Sequence, residues 1–276
     1  MGLTIYNNVE AMNAHRALMG TQSSMSRSME RLSSGLRINR AADDAAGLAV
    51  SEVMRSNIRG QQVATRNAQD GVSLVQVADG ALGNLGDMLQ RIRDLAVQAS
   101  NGTLTDAQRS NLDAEVQQVL TEVNRVGTDT DFNGIKILAG SVSTAASAVT
   151  LQVGSAAGQT IAFTIGTIST NDLGISGIAV STAASASAAI ASIDAAISTV
   201  TTNRANLGAT QNRLEQTIAR LGLMAENMQA AESRVRDADM AQEMITFTKS
   251  QILQQSGMSM LAQANQAPQQ VLSLIR

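Results

Sequence analysis

Residues 74–99 read LVQVADGALGNLGDMLQRIRDLAVQA. Apolar residues fall at Leu74, Ala78, Ala81, Leu85, Met88, Ile92, Leu95 and Ala99, alternately four and three apart. That spacing brings them to one face of a helix, the seam along which long helices pack. The helix is expected to stop at Asn101-Gly102, a C-terminal cap pair. A new helix is predicted from Thr105, where Gln108 completes a capping box. Its stripe is Leu112, Val116, Val119, Val123 and Val126, and Gly127 is expected to close it.

The same alternation appears towards both ends. Leu18, Met25, Met29, Leu32 and Leu36 carry it early, and Leu214, Ile218, Leu221, Ala225, Met228 and Val235 carry it late. The terminal stretch is apolar again through Met244, Ile245, Ile252, Leu253, Met258 and Leu261. Both ends therefore carry stripes in need of partners. The Met residues at 25, 29, 224 and 228 read as adaptable core. A single proline, Pro268, leaves little to interrupt such helices.

The middle differs. Residues 137–171 hold no charge after Lys136 and are rich in Ala, Ser, Thr and Gly. Val149, Leu151 and Val153 alternate with other residues, as do Ile161, Phe163 and Ile165, the period of short strands. Asn133-Gly134 is a hairpin signal. The expected fold is mainly α: long antiparallel helices forming a terminal coiled coil and a bundle, with a small β-rich excursion in the middle. Residues 137–185 are expected to tolerate replacement.

Composition narrows the function. With 3 Phe, 1 Tyr and no Trp, the chain lacks the aromatic anchors of compact ligand sites. Without cysteine there is no disulfide, thiolate site or thiol nucleophile. A net charge of -3 offers no basic patch for nucleic acid. Residues 1–10 have neither the cationic nor the apolar region of a secretory signal. No membrane span is expected either, and these features alone point to the cytoplasm.

No residue reads as catalytic, metal-binding or cofactor-binding, and no enzyme activity is expected. His15, the only histidine, cannot build a triad or a zinc site alone. Asp43-Asp44 are adjacent, so on a helix they diverge; an ion pair with Arg37 or Arg40, solvated or between subunits, is the simpler reading. Gly80, Gly83 and Gly86 lie inside a helical stripe rather than after a strand, which rejects a phosphate loop. They read as a face for close helix approach or a point of flexibility. Asn101-Gly102-Thr103 forms a sequon, but its simpler role is a helix end.

Two stretches resemble the bacterial flagellins. One runs Leu32-Ser-Ser-Gly35-Leu-Arg37-Ile-Asn39 and continues Ala41-Ala-Asp43-Asp44-Ala-Ala-Gly47-Leu-Ala49. The other runs Ser250-Gln-Ile252-Leu-Gln-Gln-Ser256-Gly257, then Leu261 through Asn265 to Pro268, and ends Val271-Leu-Ser-Leu-Ile-Arg276. Gln90 to Val97 and Asp131 to Leu138 are similar to the family as well.

The resemblance implies a short form lacking large outer domains, whose subunits self-assemble into a helical filament for swimming. Residues 1–45 and 236–276 would be the arms of an inner coiled-coil domain. Residues 46–138 and 185–235 would form a bundle domain, and 139–184 a small outward-facing segment. Candidate assembly residues are Leu32, Leu36, Asp43, Asp44, Ile252, Leu261, Leu272, Leu274 and Ile275. The family implies other copies of the chain as partners, with the flagellar export apparatus, an export chaperone and a filament cap protein. It also implies an extracellular location reached without a cleaved signal. Toll-like receptor 5 is a further implied partner, with Arg91, Leu95 and Glu115 as candidate contacts. Competing readings are a hook–filament junction protein of the same flagellum and, in another class, a secreted receptor ligand or adhesin.

Overall fold

The computed structural model describes residues 8–144 and 147–275, with side chains up to residue 266. The five helices are α1 (Val9–Ser34), α2 (Ala45–Ala99), α3 (Asp106–Asp129), α4 (Ala183–Arg236) and α5 (Met240–Ile275). The four strands are β1 (Asp131–Phe132), β2 (Ile135–Lys136), β3 (Val149–Gln152) and β4 (Thr160–Phe163). The chain divides into two compact units, residues 57–226 and residues 1–56 with 227–276. Both divisions fall inside long helices, α2 and α4, rather than at breaks in the pattern.

In residues 57–226 the predicted seam is the core. Leu74, Ala78, Leu85, Ile92, Leu95 and Ala99 are buried, with Ala81 and Met88 packed at the edge. A second stripe, Val75, Leu82, Leu89 and Ala96, is buried beside it. The two stripes together let α2 meet Val116 and Val123 of α3, and also Ile193, Val200 and Leu207 of α4, in one cluster. Ion pairs edge these contacts: Arg93 with Asp194 at 2.7 Å and Arg204 with Asp79 at 2.8 Å.

The turn between α2 and α3 is built as the sequence indicates. Thr105 and Gln108 form the reciprocal capping box. Arg109, only 7% exposed, reaches back to cap α2. Its Nε donates to the Ala99 carbonyl at 2.9 Å, its Nη2 to the Asn101 carbonyl at 3.1 Å, and its Nη1 pairs with Asp106 at 2.7 Å. Each nitrogen of a buried guanidinium thereby finds an acceptor, and carbonyls at the helix end gain donors.

Gly127 does not close α3, which continues two residues further to Asp129. Its role is space: a Cβ there would stand 2.0 Å from the Ile168 carbonyl oxygen. Of the two readings of Gly80, Gly83 and Gly86, close approach is not found among the described residues: a Cβ on Gly80 or Gly86 meets nothing within 4 Å, and on Gly83 only Arg204 at 4.0 Å.

The middle segment is β-containing as predicted. β1 and β2 pair through the Asn133-Gly134 turn, both residues at positive φ. β3 and β4 pair antiparallel, Val149 facing Phe163 and Gln152 facing Thr160. The segment is nonetheless not a loose appendage. Val142, Val153, Ile161, Phe163, Ile165, Ile168, Leu173, Ile175 and Val180 join the helical core. Gly71 has no side chain because Leu151 occupies that space, and Asn67 holds the Gln152 carbonyl at 3.1 Å.

The expectation of free replacement fails for these positions: low charge and small residues marked packing, not exposure. Val142 is 4% exposed and its carbonyl accepts from Ile165 at 3.0 Å. Replacing residues 141–147 by a Gly/Ser linker is therefore expected to destabilise the unit by ~1–3 kcal/mol, through Val142. The same linker with valine kept at 142 should unfold at nearly the wild-type urea concentration.

One further expectation needs correction. α4 contains an 18-residue window of mean hydropathy 1.4, long and apolar enough by length and composition alone to cross a membrane. That hydropathy comes from Ala, Ile and Val with few charges. Ala186, Ala189, Ile193, Ala196 and Val200 of that helix are buried in the bundle core, while 28% of the window as a whole is buried.

Candidate functional site

In the unit formed by residues 1–56 and 227–276, α1 and α5 lie side by side and run antiparallel. Asn8 donates to the Ala264 carbonyl at 2.7 Å, Gln254 to Gln22 at 2.6 Å, and Arg31 pairs with Glu243 at 2.9 Å. The chain segments beyond this pair cross as a short clasp. Arg37 N donates to Arg236 O at 2.7 Å and Ala238 N to Gly35 O at 3.0 Å, bracketing the Leu36–Asp237 bridge. Gly35 adopts φ 74, the left-handed cap that ends α1. Arg236 also pairs with Glu52 at 2.8 Å, and that bond is the main reason the Glu52 carboxyl sits below its ordinary pKa.

The seam between α1 and α5 is unusual in composition. On α5 the covered positions are Glu243, Phe247, Ser250, Gln254, Gly257, Leu261 and Ala264, again four and three apart. Most are polar or small. A Cβ on Gly257 would lie 3.0 Å from Leu18 Cδ1, so the helices meet closely there. On α1 the covered positions include Leu18, Met25, Ser28 and Leu32. Ser28, not Met29, is the buried residue, and Met29 is 52% exposed. The covered positions Leu18, Thr21, Met25, Ser28 and Leu32 run alternately three and four apart, a register that puts 28 on the seam and turns 29 away. Met224 is likewise exposed, so neither it nor Met29 is core.

Apart from Phe247 and Leu261, the large apolar side chains of α5 face the other way. Met244, Ile245, Ile252, Leu253, Met258 and Met260 are all exposed, Ile245 at 65%. Met244, Ile245, Thr248, Lys249, Ile252 and Leu253 line one shallow apolar groove. Val9, Met12 and Met19 of α1 are exposed too. Among the described residues, Ile38 is the only fully buried apolar side chain in this unit. A helix pair with its apolar face outward and almost no core is an incomplete structure.

The predicted assembly residues separate accordingly. Ile252 belongs to the outward face. Leu32 and Leu261 are half-buried on the α1–α5 seam, and Leu36 makes the bridge to Asp237. Asp43 and Asp44 are exposed but serve local ends. Asp43 accepts from the Arg40 and Asn39 backbone N–H groups, which hold its carboxyl below the usual range. Asp44 accepts from Gly47 N at 2.9 Å in the first turn of α2. Arg40 pairs with Glu30 at 2.9 Å. The side chains of Leu272, Leu274 and Ile275 lie outside the described residues.

Of the candidate receptor contacts, Arg91 and Glu115 are exposed and bonded to each other across α2 and α3 at 3.0 Å. Leu95 is 2% exposed and belongs to the core, as its place on the seam requires. Its side chain is therefore not available as a surface contact. His15 is exposed beside Met12, Arg16 and Met19, and no cluster of metal-ligating side chains occurs among the described residues.

A paired antiparallel helix unit and a helical bundle with a small hairpin are also found in known flagellar proteins. The bacterial flagellin N-terminal helical region matches residues 5–143, and the C-terminal helical region matches residues 190–275. A flagellin of Halalkalibacterium halodurans is 47% identical over 99% of this chain and 100% of its own length. A 33 kDa flagellar filament core protein of Treponema phagedenis is 46% identical over the same shares. The crystal structure of Bacillus cereus flagellin aligns with TM-score 0.50 at 33% identity, covering 60% of this chain and 94% of that one. A flagellar hook-associated protein of Vibrio parahaemolyticus shares the fold at TM-score 0.54 and 15% identity, covering 71% and 100%. The chain belongs to the bacterial flagellin family, a family of structural proteins.

Proposed function

We propose that this chain is the structural subunit of a helical bacterial flagellar filament, and that copies join through the outward apolar faces of the α1–α5 unit. The observation that carries this is the reversal on α5: polar and small residues face α1, while Ile245, Ile252, Leu253, Met258 and Met260 face solvent. Burying one such side chain gains ~1.5–3 kcal/mol. Several on each copy are enough to order terminal helices that a monomer barely stabilises. Because α1 and α5 contribute different surfaces, head-to-tail contacts between unlike patches can repeat without closing, which gives an open helix.

The test is to add purified chain to short filament seeds and image the products. Long filaments extending from the seeds are expected; a chain that stays monomeric or forms closed rings would reject the proposal. The hook–filament junction reading has the shared fold in its favour, but such a protein would cap seeds without elongating them.

In this reading the subunit reaches the exterior through the flagellar export apparatus without a cleaved signal, met by an export chaperone and a filament cap protein. Toll-like receptor 5 is a proposed partner of the monomer through Arg91 and Glu115. The exposed Arg91–Glu115 pair supports that surface, since an arginine at a desolvated contact is a common hot spot. Receptor reporter signalling should fall at least several-fold with Arg91→Ala and Glu115→Ala together, while seeded elongation continues. Undiminished signalling by that variant would remove the receptor from the scheme and leave the filament intact.

A further inference from the structure

We propose that Asn101-Gly102 is a self-modification site, where Asn101 converts through a cyclic imide to aspartate or isoaspartate, and that the fold promotes this at Asn101 while suppressing it at Asn133. The chain has two Asn-Gly pairs, 101–102 and 133–134. The reaction needs only water. The Gly102 backbone nitrogen loses its proton to solvent base and bonds to Cγ of Asn101. The Cγ–Nδ2 bond breaks and the side-chain nitrogen leaves as ammonia. Water then opens the ring at either carbonyl, giving aspartate or the β-linked isoaspartate. One water is consumed, one ammonia is released, and nothing is oxidised or reduced.

Glycine leaves the attacking nitrogen unshielded in both pairs. Their electrostatics are opposite. The Asn101 carbonyl accepts from Arg109 Nη2 at 3.1 Å. That carbonyl belongs to the very peptide group whose N–H must ionise. A buried guanidinium bonded there favours the peptide anion, as a neighbouring cation favours the charged form of any acid. Arg109 is buried while its partner carboxylate, Asp106, is 87% exposed and screened by water, so the guanidinium dominates at the Asn101 carbonyl. Thr103 N donates to Asn101 Oδ1 at 3.2 Å, drawing electron density from the carbon under attack. Asn101 and Gly102 are both exposed to the water the reaction requires.

At Asn133 the attacking nitrogen is held instead. Gly134 N donates to Asp131 Oδ2 at 3.2 Å, so the nitrogen faces a carboxylate whose negative charge opposes its ionisation. Asn133 is also fixed at φ 50 and Gly134 at φ 80 inside a turn closed by the Phe132–Ile135 pair. Conversion at 101 places a new negative charge at the C-terminal end of α2, where the helix dipole disfavours it. In the isoaspartate product the backbone gains a methylene and displaces the carbonyl that Arg109 holds. The site would thus record the age of the subunit at the α2–α3 turn.

The experiment incubates the full native chain at mildly alkaline pH. Mass spectrometry of its peptides follows the gain of about one dalton at each asparagine, alongside a sample kept in denaturant. In the folded chain residue 101 should convert several-fold faster than residue 133. In denaturant the two rates should converge. Asp131→Asn, which keeps an acceptor but removes the charge, should speed conversion at 133 and leave 101 unchanged. Equal rates in the folded chain overturn the proposal. So does a 101-to-133 ratio that denaturant leaves unaltered, or an unresponsive Asn133 in the Asp131→Asn variant.

Discussion

Replacing Ile245 and Ile252 together by aspartate is expected to abolish elongation from seeds while leaving the monomer folded. Both side chains are more than half exposed, Ile245 at 65% and Ile252 at 59%, so the monomer loses almost no packing. Surface substitutions of this kind change stability by ~0.5 kcal/mol or less. At an interface between copies the cost is of another order. Each subunit loses two buried isoleucines, ~3–6 kcal/mol, and must also desolvate two carboxylates without partners. Elongation should fall by more than about a hundredfold, since each 1.4 kcal/mol is about a factor of ten. The companion variant Phe247→Asp separates interface from fold. Phe247 is half-buried towards α1, so its loss should lower the helix content of the terminal pair. Circular dichroism reads the helix content and seeded imaging reads assembly. Normal filaments from the Ile245, Ile252 double variant would show that this face is not an interface.

The helical architecture was legible because apolar spacing is a direct projection of helix geometry. The stretch from Leu74 to Ala99 reads correctly for that reason, and so does the Thr105–Gln108 box. The assembly face was less legible. Met244, Ile245, Ile252, Leu253 and Met258 stand out as apolar, but sequence does not say which helical face meets the intrachain partner. On α5 the seam belongs to residues that give little hydrophobic signal, Glu243, Ser250, Gln254 and Gly257, whose fit depends on close approach rather than on area. The same logic misplaced Met29, one position off the seam from Ser28. Nor could composition separate a loose segment from a packed one in residues 139–184. Small uncharged residues serve either, and only the three-dimensional placement of Val142, Ile165 and Ile168 against the helices decides it.

Gly127→Ala is expected to destabilise the monomer by ~1–2 kcal/mol net, against the ordinary sign of that substitution. Alanine inside a helix is normally favoured over glycine by ~1 kcal/mol, because glycine loses more backbone freedom on folding. At position 127 the new methyl carbon would stand 2.0 Å from the Ile168 carbonyl oxygen, well inside van der Waals contact. Ile168 cannot simply retreat. Its side chain is 1% exposed and its N–H donates to Leu138 O at 2.9 Å, so displacing it pulls on the core and on that hydrogen bond together. Gly86→Ala supplies the control on a neighbouring helix, where a Cβ meets nothing within 4 Å. That variant should gain ~0.5–1 kcal/mol, the propensity difference alone. Urea unfolding of the monomer measures both, and the two midpoints should move in opposite directions from wild type. A Gly127→Ala chain as stable as wild type would mean that Ile168 is free to shift, and that residues 139–184 pack on α3 far more loosely than their burial implies.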